Sequence, residues 1–254
     1  MVEHGPEAFF LELDGLYSTY RPLGADVTRR EVDFLDRILR RSGNRGSLID
    51  VCCGYGRHAN EFARRGWQVH GVDISPGSIQ QATEVAREES LSAAFSVQDC
   101  RTFEVREKAD AALVLGTSFG ICGDRDGDDA CVAAMTRAVN EQGVICFEMF
   151  NPGFEALRLA SPEGLYRERR TTNGVAHHFE SLTPDRSAKE YNVEYRVGEK
   201  VFKLNMNMPL YSSDSMDDML YRHGFKRVLL FGNLNGDQYD QYNSERLILV
   251  YQRC

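Results

Sequence analysis

Residues 48–59 read LIDVCCGYGRHA, a short apolar run that ends in a glycine loop and continues directly as a helical pattern. This is typical of a buried strand that turns sharply into a helix. Gly54 and Gly56 let the backbone turn and approach a ligand closely, and the first amides of the helix favour an anionic group. The spacing also fits a variant of the dinucleotide-binding pattern, because Asp73 follows Gly54 by nineteen residues. It is compatible with a nicotinamide or flavin site and with an adenosine site.

Strands and helices alternate on both sides of this loop through residue 150. Thr28 and Glu31 have the spacing of a capping box at the start of the preceding helix, and Gly43 is placed to end it. The apolar residues of that helix share one face: Val32, Leu35, Ile38 and Leu39. After the loop, Ser75 and Pro76 mark the start of another helix. The alternation predicts an α/β fold with a doubly wound, mostly parallel sheet.

The pattern changes after residue 150. Alternating segments meet at Asn173-Gly174 and again at Gly198-Glu199, which predicts two hairpins. We expect three parts: an N-terminal helical cap in residues 1–44, an α/β domain in residues 45–150 and 212–254, and an antiparallel β insertion in residues 151–211. The insertion is expected either to cover a substrate pocket or to contact a second subunit in a homo-oligomer.

The composition argues against several classes of function. In 254 residues, 30 Lys and Arg against 38 Asp and Glu give a formal net charge of −8. This charge does not suit a surface that follows nucleic-acid phosphates or an anionic membrane. No apolar run approaches the ~18 residues of a membrane span, and the acidic N-terminus lacks the pattern of a secretory signal. We therefore expect a cytoplasmic protein with neither a nucleic-acid nor a membrane partner.

The seven cysteines form no recognisable disulfide or metal pattern. None belongs to a C-x-x-C pair, and most lie in apolar runs. We interpret them as small buried side chains in a reducing compartment. Neither a disulfide framework nor a metal ion is expected.

Two further carboxylates distinguish between the possible cofactors. Asp50 lies in the first strand, where a dinucleotide-binding fold usually has an apolar residue, and Asp99 ends the third strand. A ligand lying along the carboxyl ends of the first three strands would meet Asp50, Asp73 and Asp99 in that order. These acceptors suit an ammonium, a ribose diol and an adenine amino group, and no pyrophosphate is required. The pattern favours S-adenosylmethionine over NAD.

On these residues the chain resembles the class I S-adenosylmethionine-dependent methyltransferases, whose first motif is D/E-x-G-x-G-x-G. Here it runs from Asp50 to Gly56, with Cys52 in place of the first glycine. The resemblance implies a Rossmann-like methyltransferase fold with a seven-stranded sheet. It also implies a cofactor site made of Asp50, Gly54, Gly56, Asp73, Ile74, Asp99, Cys100 and Leu115. Tyr20 and Arg21, ahead of the first long helix, are expected to close over the cofactor.

The resemblance further implies methyl transfer to N, O or C of a small molecule, as in specialised metabolism. The D/N-P-P-Y/F motif of enzymes that methylate the amino group of adenine or of glutamine is missing after the fourth strand, which continues as GTSFG. No pair of carboxylates with an asparagine indicates the magnesium site of catechol-type enzymes. The alternatives are an NAD(P)-dependent oxidoreductase that uses Gly54, Gly56 and Asp73, and a non-catalytic protein that binds S-adenosylmethionine.

Some methyl acceptors need a base, and four residues are candidates. His58 begins the helix after the glycine loop, and Glu148 lies in the apolar fifth strand. His177 and His178 are adjacent in a predicted strand, so they face opposite sides and at most one faces the cleft. We expect His177 or His178 to help define the acceptor pocket.

Overall fold

A computed structural model describes residues 6–14, 16, 24–41 and 46–254. In chain order, the helices of these residues are α1 (Pro6–Leu13), α2 (Ala25–Arg41), α3 (Arg57–Arg64), α4 (Pro76–Glu88), α5 (Arg125–Ala138), α6 (Pro152–Arg158) and α7 (Ser213–Arg222). The strands are β1 (Ser47–Val51), β2 (Gln68–Asp73), β3 (Ala93–Val97), β4 (Ala109–Val114), β5 (Val139–Phe150), β6 (Leu165–Arg170), β7 (Val175–Leu182), β8 (Ala188–Val197), β9 (Lys200–Pro209), β10 (Phe225–Phe231) and β11 (Arg246–Arg253). Gly43, Tyr20 and Arg21 lie outside the described residues.

The larger sheet has seven strands in the order β10-β11-β5-β4-β1-β2-β3. Strands β1 to β5 pair in parallel, and β11 pairs antiparallel with both β5 and β10. The predicted doubly wound, mostly parallel seven-stranded sheet is confirmed. Because parallel strands share a direction, the loops after β1 to β5 gather at one edge, where such folds bind ligands.

Both faces of the larger sheet are covered by apolar side chains. One face packs Ile49 and Phe147 against Met135 of α5 and Leu220 of α7. The other packs against α2 and α3, and all four apolar residues predicted for the buried face of α2 are buried there. A parallel sheet covered in this way is held rigid, which fixes the loops at its carboxyl edge.

The helix starts were predicted with mixed success. The Ser75 side chain accepts a hydrogen bond from the Ser78 amide, and Pro76 begins α4, as predicted. The capping box at Thr28 and Glu31 was wrong, because α2 already begins at Ala25. Both side chains instead bind the guanidinium of Arg57, at the start of α3. The two residues therefore join α2 to the glycine loop.

A separate antiparallel sheet has the order β6-β7-β8-β9. Gly198 and Glu199 form the predicted two-residue turn between β8 and β9, with Gly198 at a φ of +57°. The predicted hairpin around Asn173-Gly174 is present, because β6 and β7 pair antiparallel, but its turn is not a two-residue one. Neither residue has a positive φ, and the four residues 171–174 connect Arg170 to Val175. The Thr171 hydroxyl closes that loop by donating to the Gly174 carbonyl. Gly174 is required for space, because a Cβ there would collide with the Arg196 carbonyl.

Helix α1 packs on the smaller sheet. Phe9 and Leu13 are almost fully buried against Tyr195, Phe202 and Leu204 of that sheet. Tyr195 and Phe202 of the smaller sheet therefore pack on α1. The helix and the smaller sheet form one layer above the carboxyl edge of the larger sheet.

In the part of the chain that the structure describes, no helix is both long enough and apolar enough to cross a bilayer.

Candidate active site

A cavity of about 560 Å³ lies between the carboxyl edge of the larger sheet and the layer above it. This volume falls in the ~300–1,000 Å³ range of small-molecule sites. Its floor is formed by the loops after β1 to β4, and its roof by α1 and the inner face of the smaller sheet. We call the part near the loops after β1 to β4 the floor half, and the part near α6, β6 to β9 and Arg246 the roof half.

Three of the predicted cofactor residues lie together in the floor half: Gly54, Asp73 and Ile74. The Asp73 carboxylate accepts hydrogen bonds from the amides of Gly54, at 2.7 Å, and Ser75, at 3.0 Å. These bonds join the end of β2 to the glycine loop. Burial raises the pKa of Asp73, although the two amides act in the opposite direction.

Gly56 has a structural role. It does not line the cavity, and its φ is +74°. A Cβ at this position would come within 2.6 Å of the Ala82 side chain and 3.2 Å of Phe95. The glycine therefore allows α3 to pack closely against α4 and β3.

The first glycine of the motif is replaced by Cys52, which nevertheless keeps a glycine-like backbone. Its φ is +58°, in the left-handed region that non-glycine residues seldom adopt. The backbone at Cys52 thus turns as a glycine at this position would allow. The Cys52 side chain is added to the wall of the cavity.

Asp99 and Cys100, predicted beside adenine, also line the floor half. The Arg101 guanidinium donates to Asp99 at 2.9 Å and reaches Glu7 of α1 at 3.4 Å. This links the loop after β3 to the roof. Sequence reasoning missed Arg101, although its position two residues after Asp99 was a visible signal.

A smaller cavity of about 50 Å³ adjoins the floor half and shares Gly54 and Gly116 with it. Asp50, Leu115 and His58 line this smaller cavity, so the structure brings these three predicted residues together. Burial raises the pKa of Asp50 to about 7, against the opposing effect of the Arg57 guanidinium.

His58 is held at the wall of the smaller cavity by Glu31. The two side chains are 2.9 Å apart. Burial, together with the Arg57 guanidinium, lowers the pKa of His58, which favours a neutral ring. His58 does not line the large cavity.

Glu148 was predicted as a base, but its carboxylate is engaged by the loop after β4. It accepts a hydrogen bond from the Gly116 amide at 2.7 Å and lies 3.6 Å from the Arg246 guanidinium. Gly116 and Arg246 line the large cavity, whereas Glu148 is not one of the described residues that line it. Glu148 therefore acts on the cavity through its neighbours.

Four charged residues form a buried ion cluster in the roof half: Glu155, Arg158, Glu180 and Lys189. The Lys189 ammonium lies 2.8 Å from Glu180, 3.6 Å from Glu155 and 4.0 Å from the centre of the Phe150 ring. Burial acts to raise the pKa of Glu180, but Lys189 and Arg158 outweigh it and lower that pKa to about 2. Burial lowers the pKa of Lys189.

The two halves of the cavity differ in charge. Among the described lining residues, the floor half has two carboxylates, Asp73 and Asp99, against Arg101, and Glu7 of α1 borders it from above. The roof half has three carboxylates, Glu155, Glu180 and Glu245, against the cations Arg158, Arg167, Arg169, Lys189 and Arg246. The floor half therefore favours a cationic ligand and the roof half an anionic one.

The two adjacent histidines do face opposite sides of the smaller sheet, but neither lines the cavity in the described part of the chain. His178 is buried on the inner face, 2.7 Å from the hydroxyl of Tyr191, which does line the cavity. His177 is on the outer face, 2.7 Å from the Tyr166 hydroxyl. The expectation that one of them directly forms the pocket is not met.

Sequence reasoning also missed the buried ion cluster. One signal was present, because Lys189 has the same alternating phase as Tyr191, Val193 and Tyr195 in β8. A lysine in the buried phase of a strand implies a buried partner.

Comparison with known proteins agrees with this geometry. Residues 48–143 match the model of the methyltransferase domain family. The chain is 25% identical over 209 residues to a dTDP-3-amino-3,6-dideoxy-alpha-D-glucopyranose N,N-dimethyltransferase of Streptomyces fradiae, covering 76% of this chain and 80% of that protein. It is 26% identical over 159 residues to a dTDP-3-amino-3,4,6-trideoxy-alpha-D-glucopyranose N,N-dimethyltransferase of Streptomyces venezuelae, covering 62% of this chain and 65% of that protein.

Among solved structures, the CcbJ methyltransferase from Streptomyces caelestis superposes with a TM-score of 0.80. The match covers 98% of this chain and 99% of that protein at 13% sequence identity. At this identity the likeness concerns the fold. It extends over the smaller sheet as well as the larger one.

Proposed function

Because the chain is a class I S-adenosylmethionine-dependent methyltransferase that acts on a small molecule, we propose that it methylates the nitrogen of an amine, carried by a sugar that is linked to an anionic group. The cofactor occupies the floor half of the cavity together with the smaller cavity, and the acceptor occupies the roof half. Residues 151–211 thus act as the acceptor cap of the α/β domain.

The donor set of the floor half fits the cofactor. In this proposal Asp73 binds the ribose hydroxyls, Asp99 and Cys100 contact the adenine edge, and Asp50 faces the ammonium. The excess of carboxylates in the floor half is complementary to a ligand that carries both a sulfonium and an ammonium. The bound cofactor supplies an electrophilic methyl group. The protein aligns the acceptor with it and excludes water.

The choice of nitrogen rests on one observation: among the described residues that line the large cavity, none is a histidine. A hydroxyl acceptor needs a base with a pKa near neutrality, whereas Glu180 has its pKa lowered to about 2. An amine needs only to lose its proton to solvent before its lone pair attacks. The cations of the roof half favour that loss, because they disfavour an ammonium beside them.

The anionic group is inferred from Arg167 and Arg169. These two residues lie on the inner face of β6 and line the cavity. In a chain of net charge −8, an excess of cations at this one wall suits a phosphate or diphosphate. The two relatives from Streptomyces are named for dTDP-linked amino sugars, which have both the amine and the diphosphate.

The proposal is tested by incubating the full chain with S-adenosylmethionine and dTDP-3-amino-3,6-dideoxyglucose. Mass spectrometry should show a product heavier by one or two methyl groups, with fragmentation locating them on the nitrogen. The matched control is the same sugar nucleotide with a hydroxyl in place of the amine, which should not react. Methylation of the hydroxyl compound at a comparable rate would contradict the choice of nitrogen.

Two coarser expectations accompany this proposal. All seven cysteines are free, which supports a reducing, cytoplasmic location. The outer face of the smaller sheet exposes Tyr166 and Phe179, which pair across β6 and β7, and this supports a homodimer through that face. Light scattering of the chain and of its Phe179→Ser variant tests the dimer. An unchanged mass in the variant would argue against this interface.

A further inference from the structure

Four thiols from four different segments meet beneath the floor half of the cavity. Cys52 follows β1, Cys100 follows β3, Cys122 follows β4, and Cys131 is buried in α5. The sulfur atoms of Cys100 and Cys122 are 3.8 Å apart. Cys52, Cys100 and Cys122 line the large cavity. In the proposed methyl transfer Cys100 contacts the adenine edge of the cofactor, but none of the four thiols takes part in the chemistry.

We propose that Cys100 and Cys122 form a redox modification site, which a low-molecular-weight disulfide converts to an intramolecular disulfide that weakens cofactor binding. This inference rests on the proposed location of the cofactor in the floor half. It does not depend on which acceptor the enzyme methylates.

The reaction is a pair of thiol–disulfide exchanges. The Cys100 thiolate attacks one sulfur of the small disulfide, whose S–S bond breaks and releases one small thiolate, which takes up a proton. The Cys122 thiol then loses its proton and attacks the Cys100 sulfur of the mixed disulfide, which releases the second small thiol. Two protein thiols are oxidised, and one small disulfide is reduced to two thiols.

The local environment assigns the two roles. The hydrogen bond between Cys100 and Cys122 holds the pKa of the Cys100 thiol well below its usual range, which makes Cys100 the attacking thiolate. The same hydrogen bond and burial raise the pKa of Cys122, which therefore remains a thiol until the second step. To reach the ~2.05 Å of an S–S bond, the two sulfurs must approach each other by about 2 Å. Gly120 and Gly123, both at positive φ, lie on either side of this part of the loop after β4.

The cross-link acts on the cofactor through that loop. Gly116, Thr117 and Ile121 in the same loop also line the cavity. A disulfide between Cys100 and Cys122 ties the loop after β4 to the loop after β3 and shifts both away from the arrangement that receives the cofactor. Conversely, a bound cofactor covers the wall on which the two thiols lie and keeps the small disulfide out.

The test uses the whole chain, first reduced and then freed of reductant. The protein is treated with oxidised glutathione, with and without S-adenosylhomocysteine. Peptide mapping by mass spectrometry should find a linked Cys100–Cys122 peptide, and its formation should be slowed by S-adenosylhomocysteine. Calorimetry should show S-adenosylhomocysteine affinity at least tenfold lower after oxidation and restored by reductant.

Two variants serve as matched controls. In Cys100→Ser, which lacks the attacking thiol, the ratio of affinities before and after treatment should be one, whatever the affinity of the variant itself. Cys254→Ser lacks the exposed thiol far from the cavity. Oxidation should lower the S-adenosylhomocysteine affinity of this variant as much as that of the unaltered chain. Absence of the linked peptide, a linked form with unchanged affinity, or equally fast cross-linking with S-adenosylhomocysteine bound would each overturn the inference. Because no acceptor is present, failure of the amine assay leaves these outcomes unaffected.

Discussion

The Glu148 carboxylate accepts a hydrogen bond from the backbone N–H of Gly116 over 2.7 Å. This bond joins β5 to the loop after β4, where Gly116 and Thr117 both have φ values in the left-handed region. On its other side, Glu148 lies 3.6 Å from Arg246, which lines the roof half. A residue predicted as a base is therefore a connection between the two halves of the cavity.

Substitution of Glu148 distinguishes a role as the hydrogen-bond acceptor of Gly116 from a role as a catalytic base. Glu148→Ala leaves the Gly116 amide without its partner, which costs about 1–3 kcal/mol, so S-adenosylhomocysteine affinity should fall about 5- to 150-fold. Glu148→Gln keeps an acceptor oxygen and should weaken binding only a few-fold, as measured by calorimetry. If Glu148 were instead a base, Glu148→Gln would lower kcat by roughly 100-fold or more while the cofactor affinity held.

Asp73 should be essential for cofactor affinity. Asp73→Ala removes the proposed ribose acceptor and the bonds to the amides of Gly54 and Ser75. Since hydrogen bonds to a charged group contribute about 1.5–3 kcal/mol, S-adenosylhomocysteine binding should weaken at least tenfold. Glu88→Ala, at an exposed position of α4, is the control and should bind normally. Normal affinity of Asp73→Ala would show that the ribose is held elsewhere.

Asp50 should make cofactor binding depend on pH. Burial raises the pKa of Asp50 to about 7, so its carboxyl gains charge as the pH rises through neutrality, while an α-amino group stays protonated up to about pH 7.7–8.0. Calorimetry with S-adenosylhomocysteine should therefore show roughly tenfold tighter binding at about pH 7.5 than at about pH 5.5. In Asp50→Asn, this rise should be absent.

The Asp50 carboxyl should also affect the free energy of unfolding, which should fall as the pH rises, whereas cofactor binding should strengthen. Its pKa is higher in the folded chain than in the unfolded one, where a value of about 3.9 is expected. The folded state therefore holds the extra proton between about pH 4 and 7, and the contribution of Asp50 to the free energy of unfolding falls as the pH rises through this window. Urea unfolding of Asp50→Asn should lack that decrease. A parallel pH dependence in both proteins would contradict the assignment.

Arg167 and Arg169 should bind the anionic part of the acceptor. The double variant Arg167→Ala/Arg169→Ala should weaken binding of thymidine diphosphate about tenfold or more, because two charge-assisted contacts are lost, and S-adenosylhomocysteine affinity should not change. Arg170→Ala is a close control on the same strand, because Arg170 is on the outer face, 3.1 Å from Glu168. If the control lost as much thymidine diphosphate affinity as the double variant, the effect would come from the overall charge of the protein and not from these two residues.

The two adjacent histidines should differ in their effects. His178→Ala removes the ring that lies 2.7 Å from the Tyr191 hydroxyl, so the acceptor KM should rise a few-fold while kcat holds. His177→Ala changes only the outer face near Tyr166 and should react as the unaltered enzyme does. Steady-state kinetics with the sugar nucleotide distinguishes them. A large loss of kcat in either variant would restore that histidine as a base.

Features encoded in short stretches of the chain were predictable. The strand–glycine loop–helix at residues 48–59, together with Asp73 and Asp99, predicted the sheet, the enzyme class and the cofactor, all of which are confirmed. In a parallel sheet, residues at the ends of successive strands necessarily meet at one edge. Their proximity therefore followed from position in the sequence.

Features that depend on packing between distant segments were not predictable. Lys189, Glu155 and Glu180 come from β8, α6 and β7, and only the fold of the smaller sheet brings them together. Gly174 suggested a tight hairpin turn, but a glycine is needed there because the carbonyl of Arg196 lies where a Cβ would be. The local sequence shows which residue occupies a position, whereas the contact that requires that residue can come from a distant strand.

The direction of the last strand has a practical consequence. Strand β11 runs antiparallel to β5, so Arg246 lies opposite Phe150 beside the cavity, and the strand then leads away to the opposite edge of the sheet. By contrast, Pro6 and Glu7 at the start of α1 border the cavity itself. A purification tag or surface linker joined after the last strand will emerge far from the substrates. The same addition joined directly to Pro6 will begin at the wall of the cavity.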